Sequence, residues 1–139
     1  MSFSELPHTA DVRIRARSET LEGIFSDLTD ALMQVMYGKF TAIRSETLVV
    51  KEVRVSGDDT ASLLFNYLSE VLFLNEVGGI VFVRADVRVT GNKLHARLFG
   101  EVFDPARHSG GTEVKGISYS GLEVRNDANG YIAEIVFDV

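Results

Sequence analysis

From Ile80 to the C-terminus, apolar and polar residues alternate almost without a break, and a period of two over that length commits the second half of the chain to β-structure. Ile80 to Val89 and Lys93 to Phe103 are two such runs, joined by Gly91-Asn92, whose leading glycine suits a type II′ hairpin. Val81, Val83, Ala85, Val87 and Val89 share one face of this hairpin, with Leu94, Ala96, Leu98 and Val102 beside them. A hairpin with one apolar side needs another layer to cover it. Ala106-Arg107-His108-Ser109-Gly110-Gly111-Thr112 then reads as a mobile loop, of the kind that carries functional residues on a rigid scaffold. A further strand is expected from Glu113 to Val124, where Gly116 and Gly121 point to a bulge or a close backbone approach. The last hairpin turns between Asn126 and Gly130, and its second strand closes the chain at Ile135-Val136-Phe137-Asp138-Val139.

The covering layer comes from the first half. Val12, Ile14 and Ala16 point one way along a short strand, and Arg13, Arg15 and Arg17 the other, the arginine side reading as a solvated face. Thr20 is placed to cap a helix in which Leu21, Ile24, Phe25, Leu28, Leu32, Val35 and Met36 recur at helical spacing until Gly38. A strand follows from Thr47 to Ser56, its alternation slipping near Lys51. Gly57-Asp58-Asp59 breaks it, and either aspartate can cap a second helix. There Leu63, Leu64, Tyr67, Leu68, Val71 and Leu72 form one apolar face before Gly78-Gly79. The order is β-α-β-α-β-β-β-β, an α+β fold with two helices packed on one face of a mixed or largely antiparallel β-sheet. With 139 residues and neither repeat nor linker, a single domain over residues 1–139 is expected.

Charge and composition remove several classes of function. A formal net charge of −6 and a pI near 5.0 speak against direct, charge-driven binding of DNA or RNA, which needs a clustered basic surface. The lack of cysteine excludes disulfides, thiolate metal sites and cysteine nucleophiles, and is simplest in an intracellular, cytoplasmic protein. No uncharged apolar run approaches the roughly 20 residues of a membrane helix, and Met1-Ser2-Phe3-Ser4-Glu5 has neither the basic nor the apolar region of a signal peptide. No membrane association is expected.

Chemistry-bearing residues are few. His8, His95 and His108 all lie in or beside β segments, and none shows the i, i+4 spacing of a helical zinc pair. Nucleophile elbow, P-loop and dinucleotide fingerprint are all absent from the sequence. What remains is a polar set at strand ends and loop borders: His8, Asp11, Glu101, His108, Lys115 and Asp138. Oxygen donors dominate it, which suits Ca²⁺ or Mg²⁺ better than zinc. Pro7-His8-Thr9-Ala10-Asp11 crowds an imidazole, a hydroxyl and a carboxylate ahead of the first strand, where packing alone would not put them. Asp138 ends the last strand much as Asp11 precedes the first. If the sheet joins these two ends, two carboxylates and a chain terminus share a small volume and repel one another unless a cation lies between them. On the residues alone the alternative stands open that Asp11 accepts hydrogen bonds from nearby amides and Asp138 pairs with an arginine.

His8-Thr9-Ala10-Asp11, Gly100-Glu101, His108, the run Glu113-Val114-Lys115-Gly116-Ile117-Ser118-Tyr119 and the ending Phe137-Asp138-Val139 resemble the archease family in order and spacing, over essentially the whole chain. The resemblance implies a small accessory protein and not an enzyme. Such a protein activates the RtcB-type RNA ligase, which uses GTP to join a 2′,3′-cyclic or 3′-phosphate RNA end to a 5′-hydroxyl end. It promotes the ligase's guanylylation and repeated turnover in tRNA splicing or RNA repair. RNA would be touched only indirectly. The resemblance also implies a divalent metal, Ca²⁺ first with Mg²⁺ or Mn²⁺ as alternatives, held by Asp11, Asp138 and a terminal oxygen of Val139. Carried over in the same way, Lys115 contacts the ligase or its nucleotide, with His8, Glu101 and His108 as further activating residues.

This chain departs from the family pattern at Ser120, where histidine is common, at Gly116 and Ser118, where alanine and threonine are usual, and at Arg13, often a small residue. These changes keep the strand and the metal ligands, while the histidine has no counterpart. Two other functions compete: a free-standing metal-dependent hydrolase or isomerase of a small phosphorylated substrate, and a chaperone-like binder of RNA-processing enzymes.

Overall fold

The computed structural model describes residues 11–42 and 48–139. Its elements are β1 (Val12–Ser18), α1 (Leu21–Tyr37), β2 (Val49–Ser56), α2 (Thr60–Gly78), β3 (Ile80–Thr90), β4 (Lys93–Val102), β5 (Gly116–Asp127) and β6 (Gly130–Asp138). This is the expected order of an α+β fold. The strands divide between two three-stranded sheets, β1-β6-β5 and β2-β4-β3, and all pairings are antiparallel.

Local chemistry sets the helix ends. The Thr20 hydroxyl accepts from the Gly23 amide to open α1, and the Gly38 N–H donates to the Gln34 carbonyl to close it. Of the two aspartates before α2, Asp59 is the cap, accepting from the Ser62 amide at 2.8 Å. That hydrogen bond holds its carboxyl below the usual carboxylate range. Gly79 closes α2 at φ +63°, a left-handed conformation that a side chain would strain.

Both helices pack against both sheets. α1 touches β1 and β6 of one sheet and β3 of the other, while α2 touches β5 of the first and β2, β3 and β4 of the second. Ile24, Phe25, Leu28 and Leu32 of α1, and Leu63, Leu64, Tyr67, Leu68 and Val71 of α2, are buried in a single core with Ala96 and Leu98 of β4 and Ala133, Ile135 and Phe137 of β6. Burying one such large apolar side chain is worth about 1.5–3 kcal/mol, so packing rather than helix propensity holds the layers together. Polar groups that enter the core do so with partners. Asn75 Nδ2 donates to the Tyr37 hydroxyl and the Ile80 carbonyl, tying α2 to the end of α1 and to the start of β3. Neither helix is long and apolar enough to cross a membrane.

Several expectations shift. β2 alternates without a slip, Lys51 lying on the same side as Val49, Val53 and Val55, and Val50 facing outward. Val83 falls at a register break between Phe82 and Arg84, so Phe82 and Ala85 carry the apolar face and are buried while Val83 is not. Val102 is expected on that face but is 67% exposed, while its neighbour Glu101 is 1% exposed, because His108 of the following loop closes over the Glu101 carboxylate. β5 starts at Gly116 rather than Glu113, and its register breaks between Ser118 and Glu123, where Gly121 at φ +78° makes the expected bulge.

The buried pair of Thr29 and Tyr67 gives a stability test. Thr29 Oγ1 donates to the Phe25 carbonyl at 2.8 Å, so it accepts from the Tyr67 hydroxyl, 2.7 Å away. Burial pushes the Tyr67 hydroxyl's pKa far up and keeps it a donor. Tyr67→Phe removes that donor and leaves Thr29 with its other partner, a cost of about 1 kcal/mol. Thr29→Val strands the Tyr67 O–H inside the core and costs about 2 kcal/mol. Urea unfolding should therefore give Thr29→Val the lower midpoint, and the reverse order would refute the donor assignment.

Candidate functional site

The pairing of β6 with both its neighbours brings distant residues to one end of the sheet. β1 pairs with β6 as far as Val12 opposite Phe137, and one further step of the same register puts Asp11 opposite Asp138. On the other side of β6, Asp138 pairs with Gly116, and the Lys115 N–H donates to the Asp138 carbonyl at 2.7 Å. Val12 and Phe137 pack inward, so the strand period turns Asp11 and Asp138 to the outer face. Val139 packs its side chain against the core, which holds its main chain at this sheet end. Lys115 is exposed beside it.

Gly116 leaves open the space over which the Asp138 carboxylate lies: a Cβ added there would be 3.7 Å from Asp138 Oδ2. That is an ordinary contact, so an alanine at this position would be accommodated and the glycine leaves the carboxylate where it is. Among the described residues, no group of three or more histidines, cysteines, aspartates and glutamates is arranged to hold a metal. The donors that the register aligns are the two carboxylates of Asp11 and Asp138, with the main chain of Val139 next in sequence. All are hard oxygens, the donor type of Ca²⁺ and Mg²⁺, and two like charges side by side favour a cation between them.

Glu101 and His108 form a second cluster, inside the protein. Each is 1% exposed. His108 Nδ1 accepts from the Asp104 amide at 2.8 Å, so the ring proton sits on Nε2, which donates to Glu101 Oε1 at 2.8 Å. Arg107 pairs with the same carboxylate and also donates to the Thr41 carbonyl. Tyr37, Phe40 and Phe103 surround the imidazole, with Phe40 edge-on at 4.6 Å between ring centroids. The segment expected to be a mobile loop is thus anchored. Its Gly110 and Thr112 amides donate to the Tyr37 and Val35 carbonyls at the end of α1, Phe103 N–H donates to the Gly79 carbonyl, and Val114 is buried. Glu101 and His108 therefore hold the loop from within, since neither reaches the surface.

Of the residues singled out from the sequence, Asp11, Lys115, Asp138 and Val139 come together, Glu101 and His108 come together elsewhere, and His8 lies outside the described residues. Sequence reasoning missed Arg107 and the aromatic surround. The Asp-Pro step at Asp104-Pro105 was the available signal: Asp104 Oδ1 accepts from the Ala106 amide in a tight turn that returns Arg107 and His108 toward Glu101.

Known proteins share the sequence pattern and the fold of this chain. The model of the archease protein family matches residues 3–139. A protein archease of Pyrococcus abyssi is 35% identical over 137 residues, covering 95% of this chain and 94% of the relative. One from Methanopyrus kandleri is 31% identical over 143 residues and covers both chains completely. Among solved structures, the solution structure of protein 1598 of Methanobacterium thermoautotrophicum shares the fold with a TM-score of 0.73 at 23% identity, over 96% of each chain. The crystal structure of a Thermotoga maritima protein described as an archease and possible chaperone has a TM-score of 0.68 at 19% identity, over 99% of this chain and 97% of that one. With the family model spanning nearly every residue and relatives above 30% identity along its length, this chain belongs to the archease family.

Proposed function

We propose that this protein is an accessory factor for an RtcB-type RNA ligase, promoting guanylylation of the ligase and its repeated turnover, and has no catalytic cycle of its own. The observation that carries this reading is the convergence of Asp11, Asp138, Val139 and Lys115 at one open sheet end, with the Lys115 backbone bonded to Asp138. A group of charges at a sheet end, outside any enclosed pocket, can be inserted into the mouth of another protein's active site. Asp11, Asp138 and a terminal oxygen of Val139 would hold a divalent cation, Ca²⁺ foremost, and that cation would supply positive charge beside Lys115. The chain's own residues supply the rest. The main-chain bond to Asp138 fixes where the Lys115 side chain leaves the sheet, and the loop pinned by Glu101 and His108 leads directly into it. An ammonium so fixed can stabilise phosphate charge that builds during nucleotide transfer.

The metal assignment is checked by calorimetry on the protein alone. Asp11→Ala should abolish Ca²⁺ binding and Asp58→Ala should leave it intact. Residues appended directly after Val139 should weaken it, whereas an N-terminal tag should not. Undiminished affinity of Asp11→Ala would move the site elsewhere.

Activation is read from multiple-turnover joining of a 3′-phosphate RNA to a 5′-hydroxyl RNA with ligase limiting and GTP and Mn²⁺ present. Lys115→Ala should keep the parent's thermal stability and lower the stimulation about a hundredfold, as loss of one positioned charge does. Glu101→Gln should reduce both together, because breaking a buried ion pair costs about 3 kcal/mol and releases the loop. Stimulation by Lys115→Ala equal to that of the parent would reduce Lys115 to a surface residue. Turnover of GTP or of a small phosphate ester without the ligase would mark a free-standing hydrolase instead.

A further inference from the structure

The outer face of the β2-β4-β3 sheet carries charge of the opposite sign to the molecule as a whole. Cross-strand register lines up three rows on this face: Ser56-Lys93-Thr90, Arg54-His95-Arg88 and Glu52-Arg97-Asp86, with Val50-Phe99-Arg84 beyond them. Five cations stand there against two carboxylates, on a chain whose net charge is −6. Neither helix covers this face, since both pack on the other side. Glu52 is taken up by His95 at 2.7 Å and Arg54 at 3.8 Å, and Asp86 by Arg84 at 3.5 Å. Arg88, Lys93 and Arg97 have no carboxylate within ion-pair distance among the described residues. At the hairpin end, Arg54, Ser56, Arg88, Thr90, Lys93 and His95 line an open depression of about 530 Å³ with no carboxylate in its wall.

We infer that this face binds the phosphate backbone of single-stranded RNA, directly and independently of the ligase. The face combines what such binding requires. Guanidinium groups dominate it, and these match phosphate oxygens with paired donors better than ammonium groups do. Ser56 and Thr90 add hydroxyl donors beside Arg54, Arg88 and Lys93. Phe99 holds the Arg84 guanidinium over its ring at 3.9 Å, with Arg97 at 5.6 Å, so a planar cation is presented on which a base can stack. Repulsion from the rest of the acidic chain would confine a polyanion to this one face. The low overall pI argued against nucleic-acid contact only through the lack of a clustered basic surface, and the cross-strand register assembles that surface from residues scattered along three strands.

Fluorescence anisotropy of a labelled, unstructured single-stranded RNA with the full chain and no ligase tests the inference. Neutralising three phosphates should give a slope of log affinity against log salt of about −2. The triple variant Arg54→Ala/Arg88→Ala/Lys93→Ala should bind at least about tenfold more weakly and flatten that slope. Arg13→Ala/Arg15→Ala/Arg17→Ala, which removes the same total charge from the other sheet, should bind like the parent. Absence of binding by the parent, equal losses in the two triple variants, or competition by polyglutamate as effective as that by RNA would each overturn the assignment. Should the first triple variant fail to fold, the exposed single substitution Arg88→Gln should still weaken binding several-fold, and affinity equal to the parent's would overturn the assignment. The assay omits the ligase, so its outcome is separate from that of the activation reading.

Discussion

β6 is the last strand of the chain and the middle strand of its sheet, and most of what is distinctive here depends on that placement. Through it, β1 and β5 acquire a common frame although neither touches the other in the sheet order. Arg15 meets Glu134 across 119 positions of sequence, and the same register carried to the sheet end sets Asp11 beside Asp138 and Asp138 beside Gly116. Inward, β6 gives Ala133, Ile135 and Phe137 to the core, so a slip by one residue would put all three in water and turn Asp138 into the protein. Hydrophobic burial thus enforces the register on which the charged end relies.

The loop between β4 and β5 is governed by a different force. It contains few apolar anchors besides Val114, and is held by a buried carboxylate, an imidazole and a guanidinium together with the last carbonyls of α1. A helix C-terminus needs partners for its carbonyls, and the loop supplies amides at two of them, so the helix end and the loop satisfy each other. Lys115 inherits its position from both sides, from the loop that precedes it and from β6 beside it.

Helix ends were legible because capping is local: Thr20, Gly38 and Gly79 stand within a few residues of the groups they satisfy, and only the choice between Asp58 and Asp59 needed the structure. Gly121 was legible as a bulge for the same reason. The division of the strands into two sheets was not, since the order of an alternating pattern does not say which strand lies beside which. Glu101 and Val102 exchange their expected exposures because a segment distant from the pattern covers one side of β4 and leaves its end bare. At the candidate site, Asp11 and Asp138 could be suspected as a pair from strand-end carboxylates, whereas the fixing of Lys115 to Asp138 required the register. The basic face was hidden most completely. Arg54, Arg88 and Lys93 are separated by acidic and apolar residues along the chain and become neighbours only across strands.

Placing β6 in the centre has a consequence for the order in which the two sheets fold. The pairing of β1 with β6 joins residues as far apart in sequence as Arg15 and Glu134, 119 positions, so that sheet closes only after most of the chain has collapsed. The β2-β4-β3 sheet is built from strands much closer together along the chain. Until β6 docks, the backbone edges of β1 and β5 that it will occupy stand open, and they are the edges on which two partly folded chains would pair with each other.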